Sequence, residues 1–177
     1  MTQFQDRTNQ KLDYAKIHLE ELENYSNSMS NDVWENAHQE SCFYHLTSSV
    51  ESILHEINDG YSLGLDLQQV TWGNVKKRIN SSNQSSPALD KLLLLKNDSQ
   101  SWLSQLIEWR NHGTHRKRVG KMIQASTWQK LDNEFKDPRT DKIQNIYPNK
   151  GCLDVLRLLT NDVENLIFYC RNIDSKL

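Results

Sequence analysis

The sequence predicts an all-α protein: an antiparallel up-and-down bundle of four long helices plus two short ones, in a single domain over residues 1–177. Three observations predict it. Apolar residues recur at alternating spacings of three and four, which places one stripe along one side of an α-helix. Glycine and proline are scarce, six and three in 177 residues, which disfavours a strand-and-turn architecture. No segment alternates convincingly with period two, the mark of a half-buried strand. The length suits about one domain and is enough for a core without disulfide or metal staples.

The elements follow in order. Over residues 4–25, Leu12, Ala15, Leu19 and Leu22 form one stripe, with Asp13, Lys16, Glu20 and Glu23 on other faces. The Ser/Asn-rich stretch 24–31 reads as an interhelical loop. A longer helix is expected from Asp32 to Ile57, with Phe43, Leu46, Val50, Ile53 and Ile57 in register. Val33, Ala37 and Tyr44 suggest a second apolar flank, so this helix should pack against more than one neighbour. Asn58-Asp59-Gly60 supplies turn chemistry to end it.

Residues 61–86 read as an insertion holding a short helix near 71–80, with Val75 and Ile79 inward, then a Ser/Asn connector at 81–86. Ser86 and Pro87 suit the N-cap and first position of a third long helix. Its stripe runs Leu92, Leu95, Ser99, Trp102, Leu106, Trp109, and Gly113 is the expected stop. A long polar connection at 114–150 contains one short helix candidate. Ser126 and Gln129 resemble a capping box there, and Trp128, Leu131 and Phe135 would face inward. The last helix is expected at about 152–173, with Leu156, Leu159, Val163, Leu166, Cys170 and Ile173 on its stripe.

Charge and cysteine content narrow the class. The 21 Lys+Arg nearly balance the 23 Asp+Glu, so a basic footprint for nucleic acid would have to be local. No run approaches the ~20 apolar residues of a membrane span, and no membrane partner is expected. Cys42, Cys152 and Cys170 are odd in number, widely spaced and set in apolar helical stretches. They read as buried thiols in a reducing compartment. Met1-Thr2-Gln3-Phe4 lacks the basic and apolar regions of a signal peptide, so the expected location is cytoplasmic.

The local basic footprint exists. Between Trp109 and Leu131 there are six basic residues (Arg110, Arg116, Lys117, Arg118, Lys121, Lys130) and no acidic one. Arg110 also continues the stripe Ser99, Leu103, Leu106, so its guanidinium should lie on or beside the buried face at the helix end. His112 and His115 follow within five residues. Eight Arg and six His in this length give such an Arg–His spacing about 0.3 times by chance, so the spacing is informative only alongside the charge run and the helix end. The chemistry suits RNA. Basic residues attract the phosphate backbone, and histidine can exchange a proton near neutral pH. An arginine fork can hold the phosphate oxygens on which charge grows. Those groups suffice for metal-free attack of a ribose 2′-hydroxyl, which only RNA carries. A solvated loop, with Arg110 as an ordinary helix C-terminal cation, is the plainer alternative.

Arg110-Asn111-His112-Gly113-Thr114-His115 resembles the Arg-x(4–6)-His motif of the HEPN superfamily. The resemblance includes a polar residue after the arginine and a position at the end of a long helix. The segment Tyr44–Leu54 is similar in character to the second helix of such proteins. The resemblance implies a metal-independent endoribonuclease without cofactor, often a toxin or anti-phage effector, acting as a homodimer with the two motifs facing across a two-fold axis. Its products would be a 2′,3′-cyclic phosphate and a 5′-hydroxyl. An antitoxin or nucleotidyltransferase-type partner is also implied. Carried over by residue, Arg110 would bind and polarise the phosphate, and His115 would be general base or acid. Asn111 would orient substrate or arginine, with His112 as the secondary histidine. Arg116, Lys117, Arg118 and Lys121 would hold RNA. Trp109 could stack a base, although its period also suits the core. The long 114–150 connection departs from the pattern and could cover the cleft.

Two other readings stay open. One is a non-catalytic module of the same type, binding nucleotide, RNA or a partner protein. The other is a metal-binding bundle, because His38 and His45 share a face seven residues apart and could meet His18 or His55. No His-x-x-x-His pair supports that ligand set, and no metal site is assigned.

Overall fold

The computed structural model describes residues 2–25, 32–115, 121–124, 129–137, 139–140, 142 and 144–177, with the backbone alone for residues 25, 32, 113–115, 121–124 and 129–135. It is an all-α helical bundle. The helices are α1 (Gln3–Tyr25), α2 (Asp32–Gly60), α3 (Trp72–Ser81), α4 (Pro87–Asn97), α5 (Trp102–His115) and α6 (Cys152–Ile173). A 3₁₀ turn at Leu67–Gln69 precedes α3. A two-stranded antiparallel hairpin, β1 (Lys121–Gln124) and β2 (Gln129–Phe135), lies between α5 and α6. Among the described residues, no helix is long and apolar enough to cross a membrane.

Helix directions follow from the side-chain pairs. Lys11 meets Tyr44, His18 meets His38 and Phe4 meets His55, so α1 and α2 run antiparallel. Lys16 pairs with Glu164 and Glu23 with Arg157, so α1 and α6 are antiparallel too. The core between them contains Leu12, Ala15 and Leu22 of α1, Phe43, Leu46, Val50, Ile53 and Ile57 of α2, and Leu156, Leu159, Val163 and Cys170 of α6. Burying one such Leu, Ile or Val contributes about 1.5–3 kcal/mol, so these stripes dominate the stability. All three cysteines are buried free thiols, and burial pushes the Cys42 and Cys170 thiols up, Cys170 to about 12.

Four expectations need correction. The third long helix is two helices, α4 and α5. Asp98 closes the first and its Oδ1 accepts the Gln100 N–H at 2.9 Å, while Ser101 Oγ accepts the Ser104 N–H at 3.0 Å and opens the second. Short polar side chains that bond the nearby backbone compete with the helix at this point. Secondly, α5 does not stop at Gly113 but continues through His115. A lone glycine costs a helix interior about 1 kcal/mol, which weakens it without ending it. Thirdly, residues 129–135 form β2 rather than a helix; Ser126 and Trp128 of the expected capping segment lie outside the described residues. A lone helix of ten residues is marginal, whereas pairing with β1 satisfies the backbone. Fourthly, the proposed second flank of α2 is exposed: Val33 at 66% and Tyr44 at 45%. Besides its main stripe, α2 buries Cys42, Ser49 and Leu54.

Two buried polar networks tie the elements together. Glu56, 3% exposed, accepts from Arg171 Nε at 3.0 Å and Nη2 at 2.8 Å, and from the Thr8 hydroxyl. Arg171 Nη1 also donates to Asn9 Oδ1 at 2.9 Å, so one pair, its carboxylate buried and its guanidinium partly exposed, joins α1, α2 and α6. Asp174, just past α6, accepts from Tyr61 Oη at 2.9 Å and Ser86 Oγ at 2.6 Å. Ser86 is meanwhile the N-cap of α4, accepting the Leu89 N–H at 3.2 Å.

Candidate functional site

Arg110 lies near the C-terminal end of α5. Its Nη2 donates to Glu51 Oε1 on α2 at 2.7 Å, and the two side chains are 23% and 38% exposed. The guanidinium therefore lies at the edge of the buried stripe and is partly exposed, and a carboxylate holds it from across the helix interface. Because α5 runs on through His115, Arg110 and His115 are five positions apart on one helix. That places their Cα atoms about 140° apart around its axis, so within one chain they do not share a face.

The neighbouring motif residues sort clearly. Asn111 and His112 are half-buried, and the Nδ1 of His112 is buried with no hydrogen-bond partner among the described residues. Trp109 is fully buried, its ring centroid 5.5 Å from that of Phe43 and its Nε1 donating to Lys136 O at 2.9 Å. It is a core residue and does not present its ring to a base. A large apolar ring on the inner stripe gains most from burial, and its one polar atom finds a backbone carbonyl. Arg116, Lys117 and Arg118 lie outside the described residues, and Lys121 is described by its backbone in β1 alone. The described part of the 114–150 connection is tied to α5 and to the α4–α5 break. Arg139 donates to Ser99 O at 2.7 Å and to Gln105 Oε1 at 2.8 Å, and Asp137 holds it from the other side.

Glu51 has a second surface. It lines a groove of about 690 Å³ between the first half of α1 and the second half of α2. Arg7 and Lys11 stand one turn apart on the α1 wall, and Tyr44, Ser48, Ser52 and His55 line the α2 side. Arg7 Nη1 donates to Gln10 Oε1 at 2.7 Å, and Lys11 Nζ sits 5.4 Å from the centre of the Tyr44 ring. Ser52 Oγ is bonded to Ser48 O at 2.8 Å. The His55 ring stacks on Phe4 at 5.8 Å, and its Nδ1 is buried without a hydrogen-bond partner among the described residues. Burial holds His55 below the usual histidine range, so its imidazole is neutral near pH 7. A buried, unsatisfied ring nitrogen costs about 1–3 kcal/mol, which a ligand donor could recover.

Beyond Tyr44 the same seam carries a histidine cluster. His18 Nδ1 lies 3.2 Å from His38 Nδ1, one donating and the other accepting, and the His18 ring stacks on His45 at 5.5 Å. His45 is pushed down to about 4 by burial first, then by Lys11, His18 and Arg7. Burial and His38 lower His18 in the same direction, opposed by Glu21. The sequence places His38 and His45 on one face near His18, and these three do meet, while His55 sits apart against Phe4. They pack ring against ring, and among the described residues no group of three or more His, Cys, Asp or Glu is arranged to hold a metal ion.

Sequence reasoning missed Glu51, Arg7 and Lys11 as site residues. A signal was present in the segment Tyr44–Leu54, where Tyr44, Ser48 and Glu51 recur at spacings of four and three on a polar face of an otherwise apolar helix.

Fold and site together define an all-α bundle protein with a groove between its first two helices, one of whose lining carboxylates, Glu51, is paired with Arg110. The chain belongs to the family described as Family of unknown function (DUF6586), whose model matches residues 1–147. No curated protein and no solved structure matches it.

Proposed function

We propose that this protein is a metal-independent endoribonuclease of HEPN type. The observation that supports the reading is the Arg110–Glu51 pair at 2.7 Å: a partly exposed guanidinium, oriented by a carboxylate, at the head of the Arg-x4-His motif. A fork held in this way can bind non-bridging phosphate oxygens as charge develops on them. His115 supplies the proton transfer and Asn111 orients the substrate, with His112 in reserve. Since Arg110 and His115 are about 140° apart on a continuous helix, the reading requires a homodimer, in which two-fold pairing gathers two arginines and two histidines into one cleft. Arg116, Lys117, Arg118 and Lys121 would track the RNA strand. A cytoplasmic toxin or anti-phage role, with an antitoxin or nucleotidyltransferase-type partner, belongs to the same proposal.

The test is cleavage of mixed RNA in excess chelator by wild type, Arg110→Ala and His115→Ala. Wild type should cleave with chelator present, and each variant should lose at least about 100-fold in rate. Chelator-sensitive cleavage, or variants that cleave like wild type, would remove the assignment. One observation favours a binding-only module instead: Glu51 already occupies part of the Arg110 fork. That alternative predicts RNA or nucleotide binding without turnover.

A further inference from the structure

We propose that the groove between α1 and α2 is a binding site for a nucleoside monophosphate, taken either as a free nucleotide or as one unit of an RNA strand. The proposal does not depend on turnover at Arg110.

The charge distribution is the first support. Arg110, Arg139, Arg157, Arg171 and Lys16 are each paired with a carboxylate. Arg7 and Lys11 are not: among the described residues Arg7 bonds the Gln10 amide, and Lys11 rests over the Tyr44 ring. Their spacing of four puts both cations on the same side of α1, on the groove wall. The facing carboxylate, Glu51, is answered by Arg110. With Asp6 as the other acid on the lining, the groove and Arg110 together keep a net charge of +1, from three cations and two anions. Two adjacent cations with free donors suit the oxygens of a phosphate.

The rest of the lining suits the rest of the ligand. Tyr44 offers an exposed ring beside Lys11, and the Phe4–His55 stack and Leu67 provide apolar surface for a planar base. Ser48 and the neutral, unpartnered Nδ1 of His55 provide polar groups for ribose hydroxyls or base edges. A volume of about 690 Å³ falls within the usual range for small-ligand clefts, about 300–1,000 Å³. This pairing of a cationic wall with an aromatic one distinguishes the groove from a plain phosphate site.

The full-length protein should be titrated by calorimetry with inorganic phosphate, adenosine, each of the four nucleoside 5′-monophosphates and a short single-stranded oligoribonucleotide. At least one monophosphate or the oligonucleotide should bind saturably, with phosphate and adenosine at least about tenfold weaker. Tighter binding of the monophosphate identifies a free nucleotide as the ligand, and tighter binding of the oligonucleotide identifies an RNA unit. Arg7→Gln with Lys11→Gln should weaken binding at least about tenfold at an unchanged melting temperature, while Arg7→Lys retains most of it. His115→Ala, which leaves both the cationic wall and the Arg110–Glu51 pair intact, should bind within a factor of about three of wild type even where RNA cleavage is lost. Absence of saturable binding by all these ligands, or binding that survives the Arg7→Gln/Lys11→Gln change, would overturn the proposal.

Discussion

Arg110 Nη2 on α5 donates to Glu51 Oε1 on α2 at 2.7 Å, which couples the Arg-x4-His helix to the wall of the α1–α2 groove. The two residues are 59 positions apart in the chain, and the pair links two regions that sequence motifs alone treat separately. Both side chains are partly exposed, so the pair orients the arginine more than it stabilises the fold.

That balance is measurable. Arg110→Ala and Glu51→Gln should each cost no more than about 1 kcal/mol in a urea melt, the usual range for a partly exposed ion pair. In the ribonuclease reading, Arg110→Ala then loses cleavage far beyond what unfolding explains. A stability loss above about 3 kcal/mol would instead make Arg110 a structural residue.

The Arg171–Glu56 pair should behave oppositely. Glu56 is 3% exposed, so Arg171→Met strands a buried carboxylate and should cost about 3–5 kcal/mol. Glu56→Gln should cost less, because its one amide oxygen can still accept from Arg171 Nη2 and Thr8, and the charge it strands, on Arg171, is partly exposed rather than buried. If Arg171→Met melts within about 1 kcal/mol of wild type, the network does not hold α1, α2 and α6 together.

Acid should loosen the α1–α2 seam. His45 is pushed down to about 4 in the folded protein, with His18 and His55 lowered in the same direction, against an ordinary value of 6.5. Between these values the unfolded chain binds more protons than the folded one, so stability rises with pH. The contribution is present above about 6.5 and is lost as pH falls towards 4. The melting temperature should therefore drop between pH 7 and 5, at about 2–4 °C for each kcal/mol lost. His45→Asn should flatten that slope, and an unchanged slope would show that His45 does not drive it.

Two glycines should respond in opposite senses to alanine. A Cβ on Gly60 would stand 2.2 Å from Lys176 O, too close to accept without moving the C-terminal backbone. Gly60→Ala should cost about 1–3 kcal/mol. A Cβ on Gly73, within α3, meets nothing within 4 Å, and Gly73→Ala should stabilise by about 0.4–1 kcal/mol. Paired thermal melts check both, and a neutral Gly60→Ala would mean that the C-terminus packs differently.

Much of the fold is legible in the sequence because helical periodicity is a local property. The stripes of α1, α2 and α6, the Ser86–Pro87 start of α4 and the inward Val75 and Ile79 of α3 all follow from residues within a few turns of one another. The α4–α5 break was also encoded locally, in Asp98 and Ser101, but an apolar rhythm that continues across it masks the two caps. β2 was not legible from its own residues, because strand pairing is completed by β1 rather than within the segment.

By itself, then, the sequence determined which residues turn inward, where most helices begin and end, and where an arginine, two histidines and a basic run lie together. Tertiary structure alone decided what those groups face. It buried the Trp109 ring against Phe43, set Glu51 against Arg110 and Glu56 against Arg171, and placed Arg7 and Lys11 across a groove from Tyr44 and His55. The physical reason is that helix spacing is fixed by bonds three and four residues apart. Ion pairs and grooves depend on which helices become neighbours, and in what register, over separations such as the 115 residues between Glu56 and Arg171.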